Sequence, residues 1–133
     1  MRFTECDLPA TVLQGIADAE FEELTPVQQQ SIPLALQGKD VAAQAQTGTG
    51  KTAAFLIAIF CRLLANPRPS GASPRALVMA PTRELVVQIC QDAELLGRHT
   101  GIKIQPIFGG VDYEKQRQAC GMVLILLLPP RDA

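Results

Sequence analysis

The stretch Ala45-Gln46-Thr47-Gly48-Thr49-Gly50-Lys51-Thr52 gathers residue types that together suit one chemistry, the cradling of a polyphosphate. It has a small residue, four variable positions, then Gly-Lys-Thr, with Ala45 where the strict pattern has glycine. Glycines 48 and 50 can turn successive backbone N–H groups inward, making an anion nest. Lys51 and Thr52 open a helix, whose unpaired first-turn amides and positive dipole end point at the same guest. The Lys51 ammonium suits the β and γ oxygens, and the Thr52 hydroxyl suits the Mg2+ ion bridging them. Lys51 and Thr52 are thus the candidate catalytic pair, with Thr52 touching the metal through the nucleotide. The bland alternative is a glycine-rich turn before a surface helix carrying a solvated lysine.

Such a loop needs a strand before it and a helix after it. Asp40-Val41-Ala42-Ala43-Gln44 follows Gly38 and is short and mostly apolar, which predicts a buried parallel strand. Thr52 to Leu64 is apolar almost all round, which predicts a helix buried against a sheet. Upstream, Leu8, Val12, Leu13, Ile16 and Ala17 form a helical stripe within a helix from Leu8 to Ala19. Thr25-Pro26 caps and starts a second helix through Leu36, ended by Gly38 and kinked or split by Pro33. Downstream, the Pro-, Gly- and Ser-rich run from Asn66 to Pro74 reads as a loop and Arg75 to Ala80 as a second buried strand. A helix then runs from Pro81 to about His99, its apolar face Leu85, Val86, Ile89, Cys90, Ala93 and Leu96. Ile102 to Phe108 alternates as a half-exposed strand that Pro106 assigns to a sheet edge, and Tyr113 to Ala119 reads as a short polar helix.

Composition sets outer bounds. The 133 residues are the length of one domain, and 47% hydrophobic, 19% charged and a net charge of −1 are ordinary for a globular protein. With no basic excess, any nucleic-acid binding must come from a local groove. The cysteines at 6, 61, 90 and 120 show neither metal-ligand nor redox spacing, which suits small buried hydrophobes in a reducing cytosol. The N-terminus lacks a secretory h-region. The apolar runs Ala53 to Cys61 and Met122 to Leu128 are too short to span a bilayer, so no membrane association is expected. His99, the sole histidine, reads as a solvent-facing residue at a helix C-terminus.

Phe21-Glu22-Glu23-Leu24-Thr25-Pro26-Val27-Gln28 looks like the Q motif of the DEAD-box RNA helicases, and Gln44 to Thr52 is similar to that family's motif I. Phe3 stands where the family carries an isolated upstream aromatic. Glu20, Leu24 and Val27 replace a usual glycine, proline and isoleucine. Pro81-Thr82-Arg83-Glu84-Leu85 is identical to motif Ia, which in the family contacts the RNA sugar-phosphate backbone. Gly109-Gly110 resembles the family's GG element, and Phe108 to Arg117 looks like the bacterial RhlB-type members. The resemblance implies an α/β fold, a RecA-like P-loop NTPase domain with a parallel sheet and helices on both faces, here incomplete. It implies ATP and Mg2+ as cofactors and RNA as partner. It assigns Phe3, Phe21, Thr25, Gln28 and Ala45 to Thr52 to the nucleotide, and Pro81, Thr82, Arg83, Gly109 and Gly110 to RNA.

The residues support several of these roles on their own. The Gln28 amide offers a donor beside an acceptor, matching the N6 and N7 edge of adenine and mismatching guanine. Phe21, with Phe3 second, is the candidate to stack on the purine; the alternative is that both are plain core aromatics, since apolar burial alone would justify either. Arg83 is a fork-shaped phosphate donor behind a Thr82 cap, although Arg83 and Glu84 could be first-turn surface charges. Glycines 109 and 110 are also ordinary turn formers.

Residue by residue, the motif likeness runs from about 3 to 123. That divides the chain into a Q-motif region (1–37), a P-loop core (38–123) and a divergent tail (124–133), as a truncation or frameshift would leave it. Motif II, which in the family holds the metal and positions the attacking water, has no counterpart here. In the family's sheet the strands carrying motifs II and III lie between the phosphate-loop strand and the strand ending at motif Ia, so a gap is expected. The implied function is the ATP-binding N-terminal part of a cytoplasmic ATP-dependent RNA helicase, which binds ATP-Mg and RNA backbone without hydrolysis or unwinding by itself. The alternative is a non-catalytic adenine-nucleotide and RNA-binding fragment. An unrelated P-loop kinase or GTPase conflicts with Gln28 and Pro81 to Leu85.

Overall fold

The computed structural model describes residues 1–46, 50–66, 75–80, 83–106 and 124–128. By contacts the chain divides into one unit of Met1–Asn66 with Leu95–Thr100 and another of Pro67–Glu94 with Gly101–Ala133.

In the first unit, a 3-10 turn (Phe3–Glu5) precedes α1 (Ala10–Asp18), α2 (Pro26–Leu36) and α3 (Lys51–Ala65). α1 buries Val12, Gly15 and Ile16, while Ala17, expected in its stripe, is exposed. It ends in a Schellman turn: Glu20 N–H donates to Ala17 C=O at 2.9 Å, and Phe21 N–H to Ile16 C=O at 3.2 Å. The residue that must be left-handed in this turn is Glu20, at φ 61, although its Cβ makes that conformation costly. α2 closes the same way with Gly38, at φ 84, in the equivalent place.

Pro33 does not split α2. The helix runs on through it to Leu36, because one proline removes only its own donor and the last turn is held by Gln37 N–H on Pro33 C=O and Lys39 N–H on Leu34 C=O. α3 is buried as its apolar sequence predicts, through Ala53, Ala54, Leu56, Ile57, Ala58, Phe60, Cys61 and Leu63, but within this unit it packs against α2 and α1 where a sheet was expected. Burial pushes the Cys61 thiol up to about 11, so it behaves as a small hydrophobe.

The predicted strand at 40–44 does not form. These residues are exposed and take no regular structure, with Val41 40% exposed. A strand exists only through its ladder, and no described strand pairs with this segment. The segment and α2 instead frame an open depression of about 410 Å³, lined by Val27, Gln30, Leu34 and residues 41–45.

The second unit holds a three-stranded parallel sheet of β1 (Ala76–Met79), β2 (Lys103–Pro106) and β3 (Leu124–Leu128) in the order β1-β3-β2. β3 comes from the expected tail and takes the centre, pairing Ala76 with Ile125 on one side and Ile104 with the same residue on the other. Its unbroken Leu-Ile-Leu-Leu-Leu is the pattern of a strand with neighbours on both sides. β1, expected to be buried, is an edge strand buried on one face only: Val78 is covered, whereas Leu77 and Met79 are 54% and 66% exposed. β2 is the other outer strand among those described, with Pro106 at its end opposite Leu127.

α4 (Arg83–Leu96) ends three residues short of the expected His99 and buries Val86, Ile89, Cys90, Ala93 and Leu96 of its expected stripe, with Leu85 half-buried. The Cys90 thiol is pushed up to about 11 by burial and then by the Glu94 carboxylate. No described helix is long and apolar enough to cross a membrane.

Candidate functional site

The first unit brings the start of α2 against the start of α3, and Gln28 makes the join. Thr25 is the N-cap of α2 and Pro26 its first residue, so Gln28 occupies the third helical position, from which a side chain reaches back over the cap. Its Oε1 accepts from Thr25 N–H at 2.9 Å, and its Nε2 donates to Gly50 C=O at 3.2 Å across 22 residues of sequence. Only 3% of Gln28 is exposed, and no other polar or charged residue among those described is buried as fully.

Gly50 is the N-cap of α3 at φ 86 and caps nothing with a side chain. A Cβ on it would run into Gln28 Nε2 and come within 3.2 Å of Thr25 Oγ1. Positive φ and close approach therefore both demand glycine here. The Gly50 carbonyl also receives Ala54 N–H at 3.0 Å, the first rung of α3. With no side chain capping it, the start of α3 offers its amides and dipole to an anion, which fits a polyphosphate. Lys51 projects from this end and is exposed, and Thr52 beside it is half-buried.

Both amide groups that the sequence assigns to adenine are thus already bonded to protein. Each keeps a second position: the NH₂ has another hydrogen and the carbonyl oxygen another lone pair. One donor and one acceptor is the number a bidentate adenine contact needs, but at 3% exposure the side chain is covered in the nucleotide-free chain.

The two aromatics have different fates. Phe3 is 2% exposed, and Phe21 is 42% exposed and stacked on it, with centroids 6.5 Å apart and an interplanar angle of 27°. Phe3 is therefore a core residue that backs Phe21, and only Phe21 has ring surface in solvent. The N-terminal residues pin this pair: Phe3 N–H donates to Glu22 C=O and Leu24 N–H to Met1 C=O, both at 3.0 Å.

Of the remaining expected site residues, Ala45 is half-buried and Gln46 exposed. Arg83 is the first residue of α4. Thr47, Gly48, Thr49, Pro81, Thr82, Gly109 and Gly110 lie outside the described residues. Among the described residues there is no group of three or more His, Cys, Asp or Glu that could hold a metal.

Sequence reasoning missed two features. A Cβ on Gly15 would collide with the Leu96 carbonyl, so α1 and the chain at Leu96 touch backbone to backbone. Beside this contact His99 Nε2 lies 2.6 Å from Asp18 Oδ2, with Arg98 Nη1 3.7 Å from the same oxygen. His99 is thus exposed, as expected, but also partnered with Asp18. A glycine in mid-helix was the available signal for the first feature; nothing local marked the second.

A family model described as DEAD/DEAH box helicase matches residues 25–132, taking in the central strand β3. The ATP-dependent RNA helicase RhlB of Pseudoalteromonas atlantica is 51% identical over 116 residues, which is 87% of this chain and 28% of that protein. RhlB of Shewanella baltica is 48% identical over 130 residues, 96% of this chain and 30% of the relative. Among solved structures, a DEAD box protein from the hyperthermophile Methanococcus jannaschii superposes with a TM-score of 0.86 at 34% identity, covering 98% of this chain and 35% of the other. The RNA helicase Prp28 from Chaetomium thermophilum, solved bound to ADP, gives a TM-score of 0.82 at 35% identity, covering 96% and 32%. The chain therefore spans about 30% of the length of the curated relatives it matches.

Proposed function

Because the chain belongs to the DEAD/DEAH box helicase family and has its α/β, RecA-like fold, we propose that it is the ATP-binding N-terminal part of a cytoplasmic ATP-dependent RNA helicase. The observation that carries this reading is the Gln28 amide bridging Thr25 and Gly50, which ties the adenine-selecting segment to the phosphate loop. In the proposed complex the α3 amides and Lys51 hold the β and γ phosphates. Thr52 contributes a hydroxyl to Mg2+, whose charge offsets that of the phosphate oxygens. Gln28 reads the adenine edge with its remaining donor and acceptor, and Phe21 covers a face of the purine. The motif Ia residues Pro81, Thr82 and Arg83, with Gly109 and Gly110, hold RNA backbone.

The 133 residues contain no Asp-Glu-Ala-Asp run to hold the metal or position water. The chain by itself therefore binds ATP-Mg and RNA without hydrolysing ATP or unwinding a duplex. A nucleotide titration tests this: saturable ATP uptake with GTP weaker, and no RNA-stimulated phosphate release, are expected. Preference for GTP, or no uptake by folded protein, would overturn it.

A further inference from the structure

We propose that Gly15 is a positioning residue for the nucleotide base, acting through the Schellman turn that ends α1. The argument rests on the reading of Phe21 as the base-facing aromatic. Phe21 has no anchoring hydrogen bond from its own side chain, so its ring goes where its backbone and Phe3 put it. Its backbone N–H is held by Ile16 C=O, and Ile16 follows Gly15 directly. Gly15 C=O in turn receives Ala19 N–H at 3.1 Å, so residues 15 to 21 form one hydrogen-bonded block.

The position of that block is set by the missing side chain. At Gly15 the Leu96 carbonyl occupies the space a Cβ would fill, and a methyl there must push backbone away from backbone. Ile16, 1% exposed, and Val12, fully buried, lock the same face of α1, leaving no slack for a tilt in place. At the end of the seam, His99 and Arg98 both reach Asp18 in the last turn of α1, before Glu20 and Phe21. A methyl at 15 must displace backbone on one side of the seam, and where the block of residues 15 to 21 yields rather than the chain at Leu96, it carries the Phe21 backbone with it. The start of α3 has a hold of its own, Gln28 Nε2 on Gly50 C=O, in addition to the packing of α3 on α1 and α2.

The experiment is calorimetric titration of the 133-residue chain with ATP-Mg and, separately, with tripolyphosphate-Mg, for wild type, Gly15→Ala, His99→Ala, Phe21→Ala and Phe21→Ala with Gly15→Ala, each checked for a cooperative melt. Gly15→Ala is expected to weaken ATP by about three- to tenfold, part of a stacking contribution, with tripolyphosphate unchanged. His99→Ala is expected to weaken ATP by about twofold, and the double variant to be no weaker than Phe21→Ala alone. Equal weakening of both ligands by Gly15→Ala would mean a merely structural glycine and overturn the proposal. So would an unchanged ATP affinity in Gly15→Ala while Phe21→Ala loses it. Should Gly15→Ala fail to melt cooperatively, unchanged ATP affinity in the surface variant His99→Ala is the overturning result. No effect of Phe21→Ala on ATP would instead sink the base-facing reading, and this proposal with it.

Discussion

Replacing Gln28 by alanine separates the two duties assigned to this side chain. In the nucleotide-free chain the substitution deletes two hydrogen bonds, one to Thr25 N–H at 2.9 Å and one to Gly50 C=O at 3.2 Å. A net hydrogen bond contributes about 1 kcal/mol. Gly50 C=O keeps Ala54 N–H as a partner, so its loss is at the low end, whereas Thr25 N–H loses the acceptor that capped it. The sum is about 2 kcal/mol, or roughly 6–10 °C in melting temperature for a domain of this size. In the nucleotide complex the same change removes the adenine-reading pair, which elsewhere discriminates bases by about 1–3 kcal/mol, a roughly 5- to 150-fold ratio. Thermal melts and parallel ATP and GTP titrations read the two effects independently. A melting temperature within about 2 °C of wild type would refute the Thr25–Gln28–Gly50 bridge as a structural join. Equal losses for ATP and GTP would refute adenine reading while leaving the bridge intact.

Other predictions follow from single contacts. Lys51→Ala should weaken ATP by about 1.5–3 kcal/mol and leave adenosine binding within about twofold, measured by titration with each, because the lysine meets phosphate alone. Glu20→Gly should raise the melting temperature by a few degrees, since relief of a left-handed backbone at φ 61 outweighs the added entropy of glycine by about 0.5–1 kcal/mol. Burial raises the Asp92 carboxyl above its ordinary value near 3.8, so the stability linked to its protonated form is present below that value and is lost as pH rises through the raised one. Asp92→Asn should therefore melt above wild type at pH 7 and converge with it near pH 3; a constant gap would show that ionisation of Asp92 is not the cause.

What the residues determined by themselves was local. The capped start of α2 at Thr25-Pro26, the apolar surface of α3 and the buried stripe of α4 follow from spacing, because a helix completes its backbone bonds within itself and its pattern is written on contiguous residues. The motif residues were legible for the same reason, each lying within one short stretch. Strands were not. Val41 to Gln44 has the composition of a buried strand and is exposed, while Leu124 to Leu128, read as a divergent tail, is the middle of the sheet. A strand borrows its donors and acceptors from remote residues, so only the tertiary structure decides which apolar runs find a partner. It also decided what the site residues do. Phe3 and Phe21 are the same residue type, yet one is core and the other surface, and the Gln28 amide turned out to hold Gly50, a contact between positions 22 apart that no local pattern encodes. Gly15 shows the same limit: the reason for having no side chain there is the Leu96 carbonyl, far away in sequence and absent from any local spacing.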